Sequence, residues 1–128
     1  MVEEIRIYIE AGGDGKNTKA PLRRGFSCFF KELVQVARNK QIKWNITVCG
    51  SRTNAFRYFN NALADRPNAF IILLVDSEVP VKHPPWEHLK SRDNWDSPGV
   101  DDTHCYLMVQ AMEAWLMADI DTLKRFYG

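Results

Sequence analysis

The chain has 128 residues, of which 45% are hydrophobic and 26% charged, and its formal net charge is +1. These proportions are typical of a soluble globular protein and exclude collagen, disordered and coiled-coil chains. The small net charge argues against a protein that holds nucleic acid mainly by bulk electrostatics, although one local patch could contact it. The longest apolar run, 69–75, is too short to cross a bilayer. We therefore expect one domain over residues 1–128 that does not associate with a membrane.

Two features predict a cytoplasmic location. The chain begins Met-Val-Glu-Glu, without the basic start and apolar stretch of a signal peptide. The three cysteines, Cys28, Cys49 and Cys105, form no CxxC pair and lie among apolar residues. That pattern is typical of reduced, buried thiols and disfavours a structural zinc site.

Hydrophobic patterning predicts alternating strands and helices in the first half of the chain. Residues 4–9 alternate β-branched and other side chains, which indicates a strand that ends at a glycine-rich loop. An amphipathic stripe over 22–37 then predicts a helix. A second strand is expected at 42–49, followed by a second helix over 55–63 with Ser51 as its N-cap.

The second half of the chain continues the alternation. The apolar run 69–75 suits a third strand that is covered on both faces. A proline-containing connection with a short helix at 86–90 precedes a fourth expected strand at 105–109, a helix at 110–118 and a last helical turn within 121–127. This order predicts an α/β, Rossmann-like three-layer fold with a mostly parallel central sheet of about four strands.

Carboxylates follow two of the predicted strands. Glu10 comes after the first strand, and Asp76 and Glu78 come after the third. Ligands of parallel sheets bind beyond the carboxyl ends of the strands, and Mg²⁺ needs only one or two carboxylates besides water and phosphate. The alternative is a solvated turn without a ligand. From spacing alone, both interpretations stay open.

The glycine loop after the first strand does not match a nucleotide-binding motif. Counting back from Gly15 and Lys16, a P-loop would need glycine at the position of Glu10 and Ser or Thr at the position of Asn17. The dinucleotide fingerprint fails as well, because Thr18 stands where its last glycine belongs. An acidic glycine loop therefore favours a metal over bare phosphate.

Two further sets of polar residues are candidates for chemistry. Glu113 shares a face with Gln110 on an otherwise apolar predicted helix, so it would bind a metal, pair with Arg24 or Arg52, or face solvent. His88 and His104 are candidate proton shuttles, although exposed loop histidines are commoner. The best basic and aromatic patch for a nucleic-acid backbone consists of Lys82, Trp86, Lys90, Arg92 and Trp95.

Several segments occur in an order that resembles the family numbered 4276 among the domains of unknown function. The segments are 9–15, 49–52, 74–78, 85–89 and 104–119. The resemblance covers nearly the whole chain. That family is similar to Toprim domains, the metal-binding fold of topoisomerases and primases, so the resemblance implies a Toprim-like fold. Relatives usually continue well past position 119, which implies that this chain lacks the family's C-terminal part.

The resemblance also implies a site. Toprim domains use a Glu after the first strand and an Asp-x-Asp after the third to hold Mg²⁺ for phosphodiester chemistry. These residues correspond to Glu10 and to Asp76 with Glu78, where Glu replaces the second Asp and Ala11 replaces a glycine. Members of the family often accompany ATPase genes in bacterial defence regions, which implies an ATPase or another defence-complex protein as partner.

We therefore predict a Toprim-like nuclease of DNA or RNA that depends on Mg²⁺ or Mn²⁺, serves in anti-phage defence and forms a homo-oligomer. Its catalytic residues would be Glu10, Asp76 and Glu78, and its metal ligands these three with Glu113. Its phosphate or substrate contacts would be Gly12, Gly13, Gly15, Lys16, Ser51 and Arg52. The alternatives are a non-catalytic interaction subunit of a larger defence complex, and a nucleotide-binding domain that depends on Lys16.

Overall fold

The structure is a computed structural model that describes residues 2–12 and 16–108, with residues 12 and 16–20 described as backbone only. Strands and helices alternate along the chain, as the hydrophobic pattern predicts. The elements are β1 (Glu4–Gly12), α1 (Lys16–Phe29), α2 (Lys31–Asn39), β2 (Lys43–Gly50), α3 (Arg52–Asp65), β3 (Ala69–Asp76), α4 (Pro85–Asp93), a 3₁₀ turn (Asp102–His104) and β4 (Cys105–Met108).

The described strands form one four-stranded sheet in the order β2-β1-β3-β4. Each neighbouring pair is parallel, so the prediction of a mostly parallel sheet is confirmed. In register, Ile9 of β1 lies beside Leu74 of β3, and Gly12 lies beside Gly50 of β2. The carboxyl ends of the three strands therefore meet at one edge of the sheet, which we call the carboxyl edge.

Side chains that alternate along each strand build a core on both faces of the sheet. On one face, Tyr8 and Leu73 pack with Phe59 of α3 and Leu89 of α4. On the other face, buried residues of the strands pack with Leu22 and Phe26 of α1. The molecule is thus helix, sheet and helix in three layers, the Rossmann-like arrangement that the sequence predicts.

The predicted single helix over 22–37 is two helices in the structure. Helix α1 ends at Phe29 and α2 begins at Lys31, although the N–H of Phe30 still donates to the carbonyl of Phe26. The Phe30 ring packs against Trp44 of β2 at 5.8 Å between centroids. An apolar stripe with helical period cannot show this change of direction, because the contact that accompanies it comes from another element.

Other expectations are met in part. Cys49 and Cys105 are buried as predicted, but Cys28 is exposed, so the prediction of three buried thiols was wrong there. The helix and last turn expected at 110–118 and 121–127 lie outside the described residues. Among the helices that the structure describes, none is long and apolar enough to span a membrane.

The helix α3 offers a test of the core. Phe59 is completely buried between α3 and the sheet, so replacing Phe59 by Ala should lower the free energy of unfolding by about 3–5 kcal/mol. The neighbouring Tyr58 is 39% exposed, so Tyr58→Ala on the same helix should cost less than about 1 kcal/mol. Urea unfolding followed by circular dichroism measures both, and equal losses would contradict this packing.

Candidate functional site

The carboxyl edge collects charged side chains from four elements. Glu10 lies near the end of β1, Asp76 is the last residue of β3, and Arg52 is the first residue of α3, directly after β2. Asp93 reaches the same place from the end of α4. Because β1 lies between β2 and β3, its carboxyl end is flanked by both neighbouring loops. This placement brings Glu10 and Asp76 together, as the sequence predicts.

Arg52 is the centre of this cluster. Its Nη1 donates to Glu10 Oε1 at 2.9 Å and to the backbone carbonyl of Asp76 at 2.5 Å. Its Nε and Nη2 donate to the two carboxylate oxygens of Asp93 at 3.0 and 2.6 Å. Four of the five N–H donors of the guanidinium are therefore engaged. The guanidinium carbon also lies 5.3 Å from the ring centroid of Trp95.

Burial and the neighbouring charges shift the pKa values of Glu10, Asp93 and Arg52 in opposite directions. Burial raises the pKa of Glu10, even though the Asp76 N–H (2.9 Å from Oε1) and Arg52 favour the carboxylate. Burial would also raise the pKa of Asp93, but hydrogen bonds and charge from Arg52 outweigh it, and that pKa is lowered. For Arg52, the two carboxylates outweigh burial and raise the pKa of the guanidinium.

The segment after β3 forms a tight turn that presents Glu78. The N–H of Glu78 donates to Asp76 Oδ1 at 2.7 Å, and Glu78 has a φ of 65°, in the left-handed region. The N–H of Ser77 donates to the carbonyl of Met108 in β4 at 2.9 Å, which fixes the turn to the sheet. The Glu78 carboxylate lies at the rim, 3.8 Å from Arg52 Nη1 and 38% exposed.

Other predicted site residues make contacts that stabilise the fold. Ser51 caps α3, since its Oγ accepts the N–H of Asn54 at 3.1 Å. His88 is buried, with Nε2 2.7 Å from the carbonyl of Ser77 directly behind the turn. His104 has Nδ1 2.8 Å from the carbonyl of Ile71, in the first half of β3 and away from the carboxyl edge.

The aromatic residues of the predicted basic patch pack onto the body of the protein. Trp86 is buried against Phe59, with 5.8 Å between ring centroids. Trp95 stacks on Phe56 at 4.1 Å. The structure therefore shows these two tryptophans packed within the protein.

Part of the predicted site lies outside the described residues. Gly13, Gly15 and Glu113 belong to that part, and Gly12 and Lys16 are described as backbone only. Asp93 is a site residue that sequence reasoning missed, and Trp95 was predicted for a nucleic-acid patch and not for the contact with Arg52. Asp93 lies 41 positions from Arg52, and a single Asp at the end of a short helix carries no signal of such a partner.

The fit of a divalent cation can be judged from the oxygen atoms at this edge. Within the residues that the structure describes, no group of three or more His, Cys, Asp or Glu is arranged to hold a metal. Mg²⁺, however, requires only one or two carboxylates, with water and phosphate completing its shell. Glu10 and Asp76 lie at adjoining strand ends, where Arg52 Nη1 contacts the Glu10 carboxylate and the backbone carbonyl of Asp76. These oxygens are of the type that Mg²⁺ binds.

A comparison with protein families gives one match. The family model described as "Domain of unknown function (DUF4276)" matches residues 9–127. This range includes Glu10, Arg52, Asp76 and Asp93, the residues that meet at the carboxyl edge. Among curated proteins and solved structures, the searches found no match to the chain.

The importance of Arg52 can be tested by a neutral replacement. Arg52→Gln leaves the Glu10 carboxylate without its cation and leaves Asp93 paired with Arg92 instead of two arginines. The Glu10 and Asp93 side chains are at most 16% exposed. We expect the free energy of unfolding to fall by about 2–4 kcal/mol, since the residual exposure moderates the cost of an unpaired buried charge. The control is Arg57→Gln on the same helix, where an exposed Arg57 contacts Asn54 and the Tyr58 ring. Urea unfolding should show a loss below about 1 kcal/mol for this control. Similar losses for both variants would contradict the central position of Arg52.

The lowered pKa of Asp93 predicts a pH dependence. Because the folded pKa is depressed, the ionised carboxylate stabilises the folded state above the ordinary aspartate pKa of about 4. That contribution is lost as the pH falls through the lower, folded value. Wild type should therefore exceed Asp93→Asn in unfolding free energy at pH 7, and the difference should shrink toward pH 3. A difference that does not change with pH would be inconsistent with this ion pair.

Proposed function

The chain belongs to the DUF4276 family, and we propose that it is a Mg²⁺-dependent, Toprim-like nuclease that hydrolyses phosphodiester bonds of DNA or RNA. The observation that carries the proposal is the position of Glu10, a partly buried carboxylate held beside Asp76 and next to a cation at the carboxyl edge. In open parallel sheets, this edge is where ligands bind. Carboxylates gathered there suit a hard divalent cation that neutralises phosphate charge.

Each carboxylate has a role in the proposal. Glu10, Asp76 and Glu78 would hold the ion. When bound, Mg²⁺ stabilises charge on the phosphoryl oxygens and lowers the pKa of a bound water. Burial raises the pKa of Glu10, and the family resemblance gives this Glu a second role as general acid or base in phosphodiester chemistry. The rim position of Glu78 leaves its carboxylate accessible from solvent.

Several finer parts of the proposal come from the family resemblance. We place the nuclease in the cytoplasm as an effector of anti-phage defence, in company with an ATPase or another defence-complex protein. Mn²⁺ would replace Mg²⁺ at the same carboxylates, since both are bound by oxygen ligands. The residues that would complete the site are Glu113, Gly13, Gly15 and Lys16, whose side chains are not among those described.

A non-catalytic interaction subunit is the second candidate, and two observations favour it. Arg52 already neutralises Glu10 in the structure. After Glu78 in the chain, Val79 and Val81 are 50% and 46% exposed, and a partner protein would bury these apolar side chains. Calorimetric titration with Mg²⁺ separates the candidates, because an interaction subunit would show no binding that depends on Asp76.

Glu10→Gln tests the nuclease proposal. The variant keeps the size of the side chain but removes its charge, so Mg²⁺- or Mn²⁺-dependent cleavage of DNA or RNA should fall at least about 100-fold. The matched control is Glu87→Gln, because Glu87 is 62% exposed on α4 and pairs with His83 away from the edge. Its activity should equal that of wild type. Equal cleavage by the two variants, or no metal-dependent cleavage by wild type with either nucleic acid, would sink the proposal.

A further inference from the structure

We propose that Arg52 is an internal competitor of the divalent cation, which holds the Glu10 carboxylate until a metal displaces its Nη1. This inference rests on the proposed function, since it concerns the same carboxylates. In the structure, Nη1 lies 2.9 Å from Glu10 Oε1, 2.5 Å from the Asp76 carbonyl and 3.8 Å from Glu78 Oε1. One guanidinium nitrogen thus contacts or approaches oxygens of all three proposed ligand residues.

Size and charge prevent a metal and Nη1 from sharing this position. Mg²⁺ binds oxygen at 2.0–2.1 Å, so an ion bound between Glu10 Oε1 and the Asp76 carbonyl would lie within the volume that Nη1 occupies. The two cations would also repel each other at short distance in a site that is largely shielded from water. Metal binding between these two oxygens therefore requires Nη1 to give up Glu10 Oε1.

The N–H donors of Arg52 have different partners, so the guanidinium can release Glu10 without leaving the carboxyl edge. Nη1 donates to Glu10 and to the Asp76 carbonyl, whereas Nε and Nη2 both donate to Asp93. The bidentate bond to Asp93 can persist while Nη1 moves. Trp95 covers the guanidinium, with 5.3 Å between the Arg52 Cζ and the ring centroid. Asp93 and Trp95 are thus positioning residues that keep Arg52 beside the carboxyl edge.

The charges of the cluster match a divalent cation. Its carboxylates are those of Glu10, Asp76, Glu78 and Asp93, and its guanidinium groups are those of Arg52 and Arg92. When all are ionised, two negative charges are left over, which one divalent cation would neutralise. Without metal, Arg52 is the group that offsets the negative charge at Glu10. The partly buried Glu10 carboxylate is therefore paired with a cation both before and after a metal binds.

The test measures the affinity of Mg²⁺ and Mn²⁺ by isothermal titration calorimetry with the full chain. Arg52→Gln frees Glu10 and removes a like charge, so the variant should bind either ion at least about tenfold more tightly than wild type. Should this variant fail to fold, the double variant Arg52→Gln with Asp93→Asn removes the cation together with its anchoring anion. Arg57→Gln is the matched control and should keep the wild-type affinity, because Arg57 is exposed on the same helix.

A second readout uses wild type alone. In ¹⁵N NMR of arginine side chains, Mg²⁺ should speed hydrogen exchange at Nη1 of Arg52, while the Nε–H and Nη2–H groups bound to Asp93 stay protected. Unchanged exchange at saturating Mg²⁺ overturns the competition, and so does unchanged or weaker metal affinity in a folded variant. In either of these cases wild type still binds metal, and the nuclease proposal stands. Absence of metal binding to wild type and to every variant overturns the proposed function and the competition together.

Discussion

The pairing of Arg52 with Glu10 and Asp93 is the interaction on which the rest of the carboxyl edge depends. A guanidinium this far from water is tolerated only when carboxylates and carbonyls satisfy its donors. Arg52 meets this requirement with groups from β1, β3 and α4, so one side chain joins three elements. Loss of its charge would leave the Glu10 carboxylate without a cation and would remove the bidentate partner of Asp93.

The order of the sheet explains why these groups meet. Strand β1 lies between β2 and β3, so the residue that follows β2 and the residue that ends β3 both reach the end of β1. The backbone N–H of Asp76 then donates to Glu10 in addition to Arg52. The raised pKa of Glu10 follows from burial that these two contacts do not fully offset. The same geometry that stabilises the edge therefore sets the chemistry available to Glu10.

Several parts of this arrangement could be predicted from the sequence because they are local. Alternating apolar residues identify β1, and the apolar run 69–75 identifies β3, so the placement of Glu10 and Asp76 follows from the rule for parallel strands. The role of Arg52 could not be predicted in this way. The residue suits phosphate equally well by type, and its partners lie 41 and 42 positions away in the chain. The separation of α1 from α2 was missed for the same reason, since it accompanies a contact of Phe30 with Trp44.

By itself, the sequence determined the class of the fold, the parallel sheet and the family, because hydrophobic periodicity and ordered motifs are properties of the chain. It did not identify Asp93, but it placed Glu10 and Asp76 at the carboxyl edge. Only the tertiary structure decided that Arg52 fills the space between them, with Asp93 and Trp95 holding it there. The physical reason is that a buried cation takes its partners from whichever elements pack around it, and that choice is made by packing and not by spacing along the chain.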